Sequence, residues 1–263
     1  MVAMATAFLF TACAGAPKLA KPQYSKWYYA YTIPLSTKQA ETAPCLEMAL
    51  SLLTVEYPAE QTSFVYDILY LDDNLSAYKD RLIREQRNNF RAKMESVWDF
   101  YGEDAAYNNW RYGENIDVVN PLPTSIMIKR AVYTYEGGAH GYQQTRYYMV
   151  SLDPYKLVKI DDLFSDFQGD AVRAAIYAEL RNYSDLRPRQ PLSEGIFFTD
   201  EPELTFNFYF TREGLGLHWD AYQIAPYSQG NIDLVIPWDK VRPLMLNSGI
   251  ELLTKFEIYL FVS

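Results

Sequence analysis

The stretch Ser125–Val150, SIMIKRAVYTYEGGAHGYQQTRYYMV, has two apolar and aromatic segments on either side of a glycine-rich one. Residues 125–135 and 142–150 are rich in Tyr, Ile and Val, which favour β-strands. Three glycines lie in the segment that joins them, and glycine permits the positive φ angles of a tight connection. The stretch therefore predicts a β-hairpin with a glycine-rich tip.

The last third of the chain predicts an antiparallel meander. Apolar side chains occupy every second position of residues 204–210, so Phe206 is expected on the buried face and Asn207 on the wetter one. Residues 215–219 and 232–236 supply two further strands. In the first of these, His218 lies on the face opposite Trp219, facing solvent or a second layer, and a structural role is expected for it.

Helices are predicted on both sides of the hairpin. The longest covers Leu75–Tyr101, where apolar residues follow one face and residues 72–74 (Asp-Asp-Asn) can cap the start. Residues 166–183 predict a second helix, and residues 238–246 a short closing one.

The N-terminal third predicts a mixed pattern. Residues 28–35 and 63–71 are expected to be strands, and a short strand is expected over 157–160. Apolar residues follow Pro44 at helical spacing, so a helix is expected there, with Cys45 as a buried small apolar residue. Because strands and helices come in blocks, we expect an α+β fold with antiparallel sheets and packed helices. We expect it to consist of two small modules in one compact unit.

Composition and charge restrict the function. The chain has 263 residues, with 24 Lys and Arg against 33 Asp and Glu, and a formal net charge of −9. No nucleic-acid partner is expected, because phosphate binding depends on clustered Lys and Arg. Two Cys and two His leave little for a metal site, and no hydrolase, phosphate-loop or dinucleotide motif occurs. We expect no metal and no cofactor.

Residues 1–21 predict a signal peptide and a tether. The apolar run Val2–Ala12 has about half the roughly 20 residues of a spanning helix, and it ends at Cys13. The segment Phe10–Gly15, FTACAG, resembles a bacterial lipobox, which implies lipidation of Cys13. A lipoprotein of the bacterial cell envelope is then expected, attached to the membrane by its lipid and facing the periplasm or the exterior. A cytoplasmic protein with an apolar tail is the alternative.

Further motifs resemble a known family. They are, in order, YEGGAHG (Tyr135–Gly141), LVKIDDLF (Leu157–Phe164), FYFTREGL (Phe208–Leu215), YQIAPY (Tyr222–Tyr227) with Gly230, and IPW (Ile236–Trp238). This order resembles the extracytoplasmic domain of unknown function of RsiV-like anti-sigma factors, with its smaller N-terminal companion module. The same pair is similar to the N-terminal part of PdaC-like peptidoglycan deacetylases.

The resemblance covers about residues 24–246. It implies a companion module over 22–124, an RsiV-like module over 125–263, and a binding role. In RsiV the comparable part binds lysozyme. No segment resembles the sigma-binding part of RsiV or the catalytic domain of PdaC, so neither activity is expected.

The candidate binding residues lie in two loops, where binding groups often sit on a rigid sheet. They are Glu136, Gly137, Gly138, His140 and Gly141 in the hairpin tip, and Tyr222, Pro226, Tyr227 and Gly230 in the loop before the last strand. His140 either contacts a ligand or caps its own loop. The second loop is either a binding surface or a rigid turn. No catalytic residue is predicted.

Three functions follow as hypotheses. The first is a non-enzymatic envelope lipoprotein that recognises a lysozyme-like protein or a cell-wall glycan such as peptidoglycan; the acidic charge suits a basic partner. The second is a cell-wall hydrolase that uses His140 and nearby carboxylates. The third is a structural envelope protein without a small ligand.

Overall fold

The computed structural model describes residues 23–35, 44–56, 59–71, 74–101, 109–121 and 125–262. The predicted signal peptide and Cys13 lie outside the described residues. None of the helices in the described part is both long enough and apolar enough to cross a membrane.

The described residues form two sheets and five α-helices, which confirms the α+β class. The strands are β1 (Gln23–Pro34), β2 (Cys45–Glu56), β3 (Asn109–Pro121), β4 (Ser125–Tyr135), β5 (Tyr142–Leu152), β6 (Tyr155–Val158), β7 (Phe208–Phe210), β8 (Gly214–Trp219) and β9 (Ile232–Pro237). The helices are α1 (Ala59–Tyr70), α2 (Leu75–Tyr101), α3 (Asp170–Tyr183), α4 (Trp238–Val241) and α5 (Asn247–Val262).

The first six strands form one sheet in chain order, and β7, β8 and β9 form a second. Every neighbouring pair is antiparallel except β2 and β3, which are parallel and are connected through α1 and α2. The predicted module boundary at residues 124 and 125 falls between β3 and β4. These strands pair along their length, so the two predicted modules share one sheet.

Alternating side chains of the large sheet enter two hydrophobic cores on opposite faces. Ile126 and Ile128 of β4 join the core under α1 and α2. Met127, between them, joins the core built from the small sheet, α3 and α5, as does Met149 of β5. The second core covers the large sheet only near β4 to β6, so the same face of β1 to β3 stays open.

A buried carboxylate attaches α2 to the large sheet. Glu114 of β3 accepts hydrogen bonds from the hydroxyls of Tyr78 (2.8 Å) and Tyr112 (3.0 Å) and lies 3.0 Å from Arg130 Nε. Burial and this carboxylate raise the pKa of both tyrosines, so both hydroxyls stay protonated donors. At the start of α2, Asn74 Oδ1 accepts from the Ala77 amide at 2.9 Å, which confirms the cap at that residue. Asp72 and Asp73 lie outside the described residues.

The helix predicted after Pro44 is wrong, because these residues form β2. Leu46, Leu50 and Leu53 fit a helical period, but Met48 and Leu52 are buried as well. The buried side chains therefore alternate along most of the strand, because one face of β2 packs in the core under α1 and α2.

Cys45 is accordingly not a buried helical residue. It opens β2 half-buried, and its Sγ lies 3.2 Å from Asn109 Oδ1.

The strand predicted over 63–71 is also wrong, because this segment belongs to α1. Its aromatic and β-branched residues favour strands, but the buried ones are Val65, Leu69 and Tyr70. That spacing is the face of a helix, and the Tyr70 hydroxyl donates to the Leu53 carbonyl at 2.6 Å. Packing on the sheet thus overrides local propensity.

The other segments agree with expectation within a few residues. The hairpin of β4 and β5, the helix α2 and the meander of β7 to β9 are confirmed. The helix expected over 238–246 is α4 followed by a 3-10 turn, Arg242–Leu244. The helix α5 was not predicted.

Candidate functional site

The outer edge of β5 is where the two sheets are joined. β6 pairs with β5 only at residues 149–152, so the preceding part of β5 needs other partners. The Thr145 amide donates to Asp220 Oδ1 at 2.7 Å, and the Tyr147 amide donates to Asn207 Oδ1 at 2.9 Å. Asn207 Nδ2 donates to the Thr145 carbonyl at 2.7 Å. Two side chains that flank strands of the small sheet, Asn207 before β7 and Asp220 after β8, thus replace the missing strand.

This arrangement explains why the alternation predicted over 204–210 is wrong at two positions. Only Phe208–Phe210 pair as β7. Asn207 is buried because its amide reaches β5, while Phe206 is 54% exposed. The hydrogen-bonding requirement of β5 therefore places the polar side chain inside.

His218 faces the second layer and is buried, with 2% of its surface exposed. Its Nδ1 lies 2.9 Å from Asp233 Oδ1, and its Nε2 lies 3.1 Å from Asp220 Oδ1. Burial alone lowers the pKa of His218, but the hydrogen bonds to the two carboxylates outweigh burial and raise it. The pKa of each carboxyl is lowered in return, despite burial. Two carboxylates at the two ring nitrogens favour the doubly protonated imidazolium.

Tyrosines complete this junction on its outer side. The rings of Tyr147 and Tyr209 stack with centroids 4.3 Å apart, and the Tyr209 hydroxyl donates to Asp233 at 3.1 Å. Burial, with Asp233 nearby, raises the pKa of Tyr147 to about 12. A Cβ on Gly216 would lie 2.4 Å from the Tyr209 ring, so only glycine allows this approach.

The two predicted loops meet, and we call His140, Gly141, Tyr222 and Tyr227 the loop cluster. The His140 ring stacks on the Tyr227 ring at 3.8 Å between centroids, with 17° between planes. The Tyr222 ring centroid lies 5.4 Å from that of Tyr227 and 6.3 Å from that of His140. The Tyr227 hydroxyl donates to the Gly141 carbonyl at 2.8 Å. Residues 86 positions apart in the sequence therefore form one exposed aromatic surface.

Tyr222 has a strained backbone at this surface. Its φ is 71°, a value that bulky residues rarely adopt, and its side chain is 54% exposed. Hydrogen bonds hold the loop on both sides: the Ala221 amide donates to Asn231 Oδ1 at 2.9 Å, and the Asp220 amide donates to Gln223 Oε1 at 2.7 Å. An exposed aromatic residue kept in a strained conformation is typical of a binding site.

Other predicted site residues serve the loops instead. Glu136 forms an ion pair with Lys93 of α2. Gly137, Gly138 and Gly230 adopt positive φ. Pro226 precedes the 3-10 turn that carries Tyr227. A hydrogen bond of 3.4 Å between His140 Nδ1 and the Gly141 carbonyl is long, so stacking on Tyr227 is the main contact of this ring.

A groove on the open face of β1 to β4 was not predicted. It has a volume of about 710 Å³. Ala30, Ala49 and Gly113 lie in one row across its floor, and Tyr133 of β4 continues the row. The small residues could be read from the sequence, but their row depends on strand pairing, which single-sequence patterns do not show.

Tyr133 connects this groove to the loop cluster. Its hydroxyl lies 2.3 Å from the position that a Cβ on Gly141 would occupy. The groove and the loop cluster are therefore neighbours on one side of the molecule. Within the described part of the chain, no group of three or more His, Cys, Asp or Glu residues could hold a metal ion.

The ion pairs of His218 predict how stability varies with pH. Because the pKa of His218 is raised by folding, its contribution is fully present below the unfolded value of about 6.5 and is lost as the pH rises through the folded value. At pH 6 the free energy of unfolding of wild type should be about 1–3 kcal/mol larger than that of His218→Gln. The gap should narrow toward pH 9.

Urea unfolding from pH 5 to pH 9 measures this gap. The pKa values of the Asp220 and Asp233 carboxyls are lowered by folding, so these groups stabilise the fold at neutral pH. Their contribution to stability is lost only as the pH falls through the acid range. An equal pH dependence of wild type and His218→Gln would contradict the assignment.

Comparisons with known proteins give one family match in the C-terminal part of the chain. Residues 161–239 match the model of a family described as "Protein of unknown function (DUF3298)". A search of curated proteins gives no match. The matched segment contains Asn207, Asp220 and the loop of Tyr222 and Tyr227.

Two solved structures share the fold. One is a member of the DUF3298 family from Bacteroides fragilis NCTC 9343, with a TM-score of 0.73 and 16% identity, covering 87% of this chain and 95% of that one. The other is a DUF3298 family protein from Pseudomonas aeruginosa PAO1, with a TM-score of 0.58 and 16% identity, covering 88% and 97%. Residues 161–239 are thus similar to a family of unknown function, DUF3298, and the fold of the chain is similar to that of two proteins of this family.

Proposed function

We propose that this protein is a non-enzymatic binding protein of the bacterial envelope that holds a lysozyme-like protein at the loop cluster. The observation that carries the proposal is the exposed stack of His140 on Tyr227, with Tyr222 beside it at positive φ. Aromatic side chains that are already ordered lose little conformational entropy when a partner binds. They are common anchors at protein interfaces.

The partner class is supported by the residues that form the cluster. Two of the motifs that resemble RsiV, Tyr135–Gly141 and Tyr222–Tyr227, are the segments that meet there. The net charge of −9 favours encounter with a basic partner such as lysozyme.

The surroundings of the two histidines favour binding over hydrolysis. Both ring nitrogens of His218 are bonded to carboxylates, and its ring is buried. The His140 ring is stacked on Tyr227, and the nearest acidic residue in its loop, Glu136, is paired with Lys93. General acid–base catalysis needs a carboxylate or imidazole within hydrogen-bonding reach of a substrate, which these pairings oppose.

The envelope location is part of the proposal and depends on Cys13. A lipid on this residue would tether the folded part to one membrane leaflet through the residues that precede β1. The binding surface would then face the periplasm or the exterior, where a lysozyme-like protein or peptidoglycan is met.

Titration of the purified protein with lysozyme tests the loop cluster. We expect saturable binding, weakened at least tenfold by His140→Ala or Tyr222→Ala, because each removes an exposed ring. Tyr227→Phe keeps the ring and loses only the bond to the Gly141 carbonyl, so it should bind better than Tyr227→Ala.

Tyr183→Ala is the matched control, since Tyr183 is exposed at the end of α3. It should bind as wild type does. Absence of saturable binding by the folded wild type would refute the lysozyme proposal. Release of soluble product from peptidoglycan by wild type, lost in His140→Ala, would favour the hydrolase instead.

Labelled palmitate in a bacterial host tests the anchor. The wild-type chain should incorporate the label, and globomycin should block cleavage of its signal peptide. Cys13→Ser should remain unlabelled because it lacks the acceptor thiol. Cys45→Ser is the control and should be labelled as wild type is. Labelling that persists in Cys13→Ser would refute lipidation at this residue.

A further inference from the structure

The groove on the open sheet face has a flat floor bounded by aromatic side chains. Ala30, Ala49 and Gly113 are neighbours on three adjacent strands and leave no bulky side chain on that row. Tyr28 of β1 is 75% exposed at one side, and Tyr133 of β4 is 38% exposed at the other. Three strand spacings separate β1 from β4, about 14 Å in all. The floor is wide enough for a chain-like ligand to lie between the two rings.

The groove is open along the strands. A second depression of about 430 Å³ continues it and shares four of its lining residues, Ala30, Ala49, Gly113 and Tyr133. From Arg111 to Asp117 the lining covers six residue steps, roughly 20 Å at 3.4 Å per residue. This shape suits a segment of a linear polymer better than a compact small molecule.

Charges at the two ends of the groove are paired. At one end Lys26 forms an ion pair with Asp117 and donates to Asn115 Oδ1 at 3.1 Å. At the other end Arg111 Nε lies 3.2 Å from Glu47 Oε2. The floor therefore presents polar hydrogen-bonding groups without a large excess of either charge. A strongly anionic or cationic ligand is not favoured.

We infer that this groove binds an uncharged linear glycan. Sugar rings have apolar faces that pack against Tyr28 and Tyr133, and hydroxyl edges that bond to polar side chains of the lining such as Asn115 and Gln143. The glycan chain runs along the strands over the alanine and glycine floor. This site is separate from the loop cluster and adds a second ligand to the proposed function.

Calorimetric titration with chitotetraose, an uncharged oligosaccharide, tests the inference. Ala49 is exposed in the middle of the floor, so Ala49→Trp fills the groove from the solvent side without disturbing a core. We expect wild type to bind, Ala49→Trp to lose binding, and Tyr28→Ala to bind at least tenfold more weakly. Tyr183→Ala should bind as wild type does.

Two further measurements separate this site from the lysozyme site. Ala49→Trp should still bind lysozyme, and Tyr222→Ala should still bind chitotetraose, so either proposal can fail alone. Circular dichroism and urea unfolding confirm that each variant is folded. No heat of binding by folded wild type, or equal binding by Ala49→Trp, would overturn the glycan inference. So would self-association that Ala49→Trp abolishes in the absence of glycan binding.

Discussion

The hydrogen bonds that Asn207 and Asp220 make to β5 are the constraint on which the arrangement of the hairpin and the small sheet depends. β6 is too short to pair with the whole of β5, so Thr145 and Tyr147 would otherwise keep unsatisfied backbone groups in a buried junction. Each unsatisfied group costs about 1–3 kcal/mol. The small sheet removes this cost with two side chains, and the position of β8 relative to the hairpin follows from that contact.

Asp220 also fixes the start of the loop that carries Tyr222. The same carboxylate accepts from the Thr145 amide, lies against His218 and pairs with Arg146. The strained loop that carries Tyr222 begins at the next residue. The loop therefore starts from a fixed point, and Tyr227 reaches the hairpin tip. An aromatic surface beside an open groove is the physical basis of the two binding sites that we propose.

Local sequence patterns predicted the hairpin, α2 and the small sheet. The turn residues and the spacing of apolar residues that determine these elements lie within each segment. Such patterns failed for β2 and α1, where leucines and alanines favour a helix and aromatic residues favour a strand, and where contacts distant in sequence decide. The same limit applies to Asn207, whose burial depends on the unpaired edge of β5. The loop residues His140 and Tyr227 were predicted separately, and the structure places them in contact. The groove could not be predicted from the sequence, because Ala30, Ala49 and Gly113 form its floor only when three strands pair in register.

Amide hydrogen exchange at Thr145 and Tyr147, followed by NMR, measures whether the side chains of Asn207 and Asp220 close the edge of β5. Both amides should exchange slowly in wild type. In Asn207→Leu the Tyr147 amide should exchange at least tenfold faster than in wild type, while Thr145, bonded to Asp220, stays more protected. Fast exchange of both amides in the folded wild type, or unchanged protection of Tyr147 in Asn207→Leu, would contradict the claim that these side chains close the edge of β5.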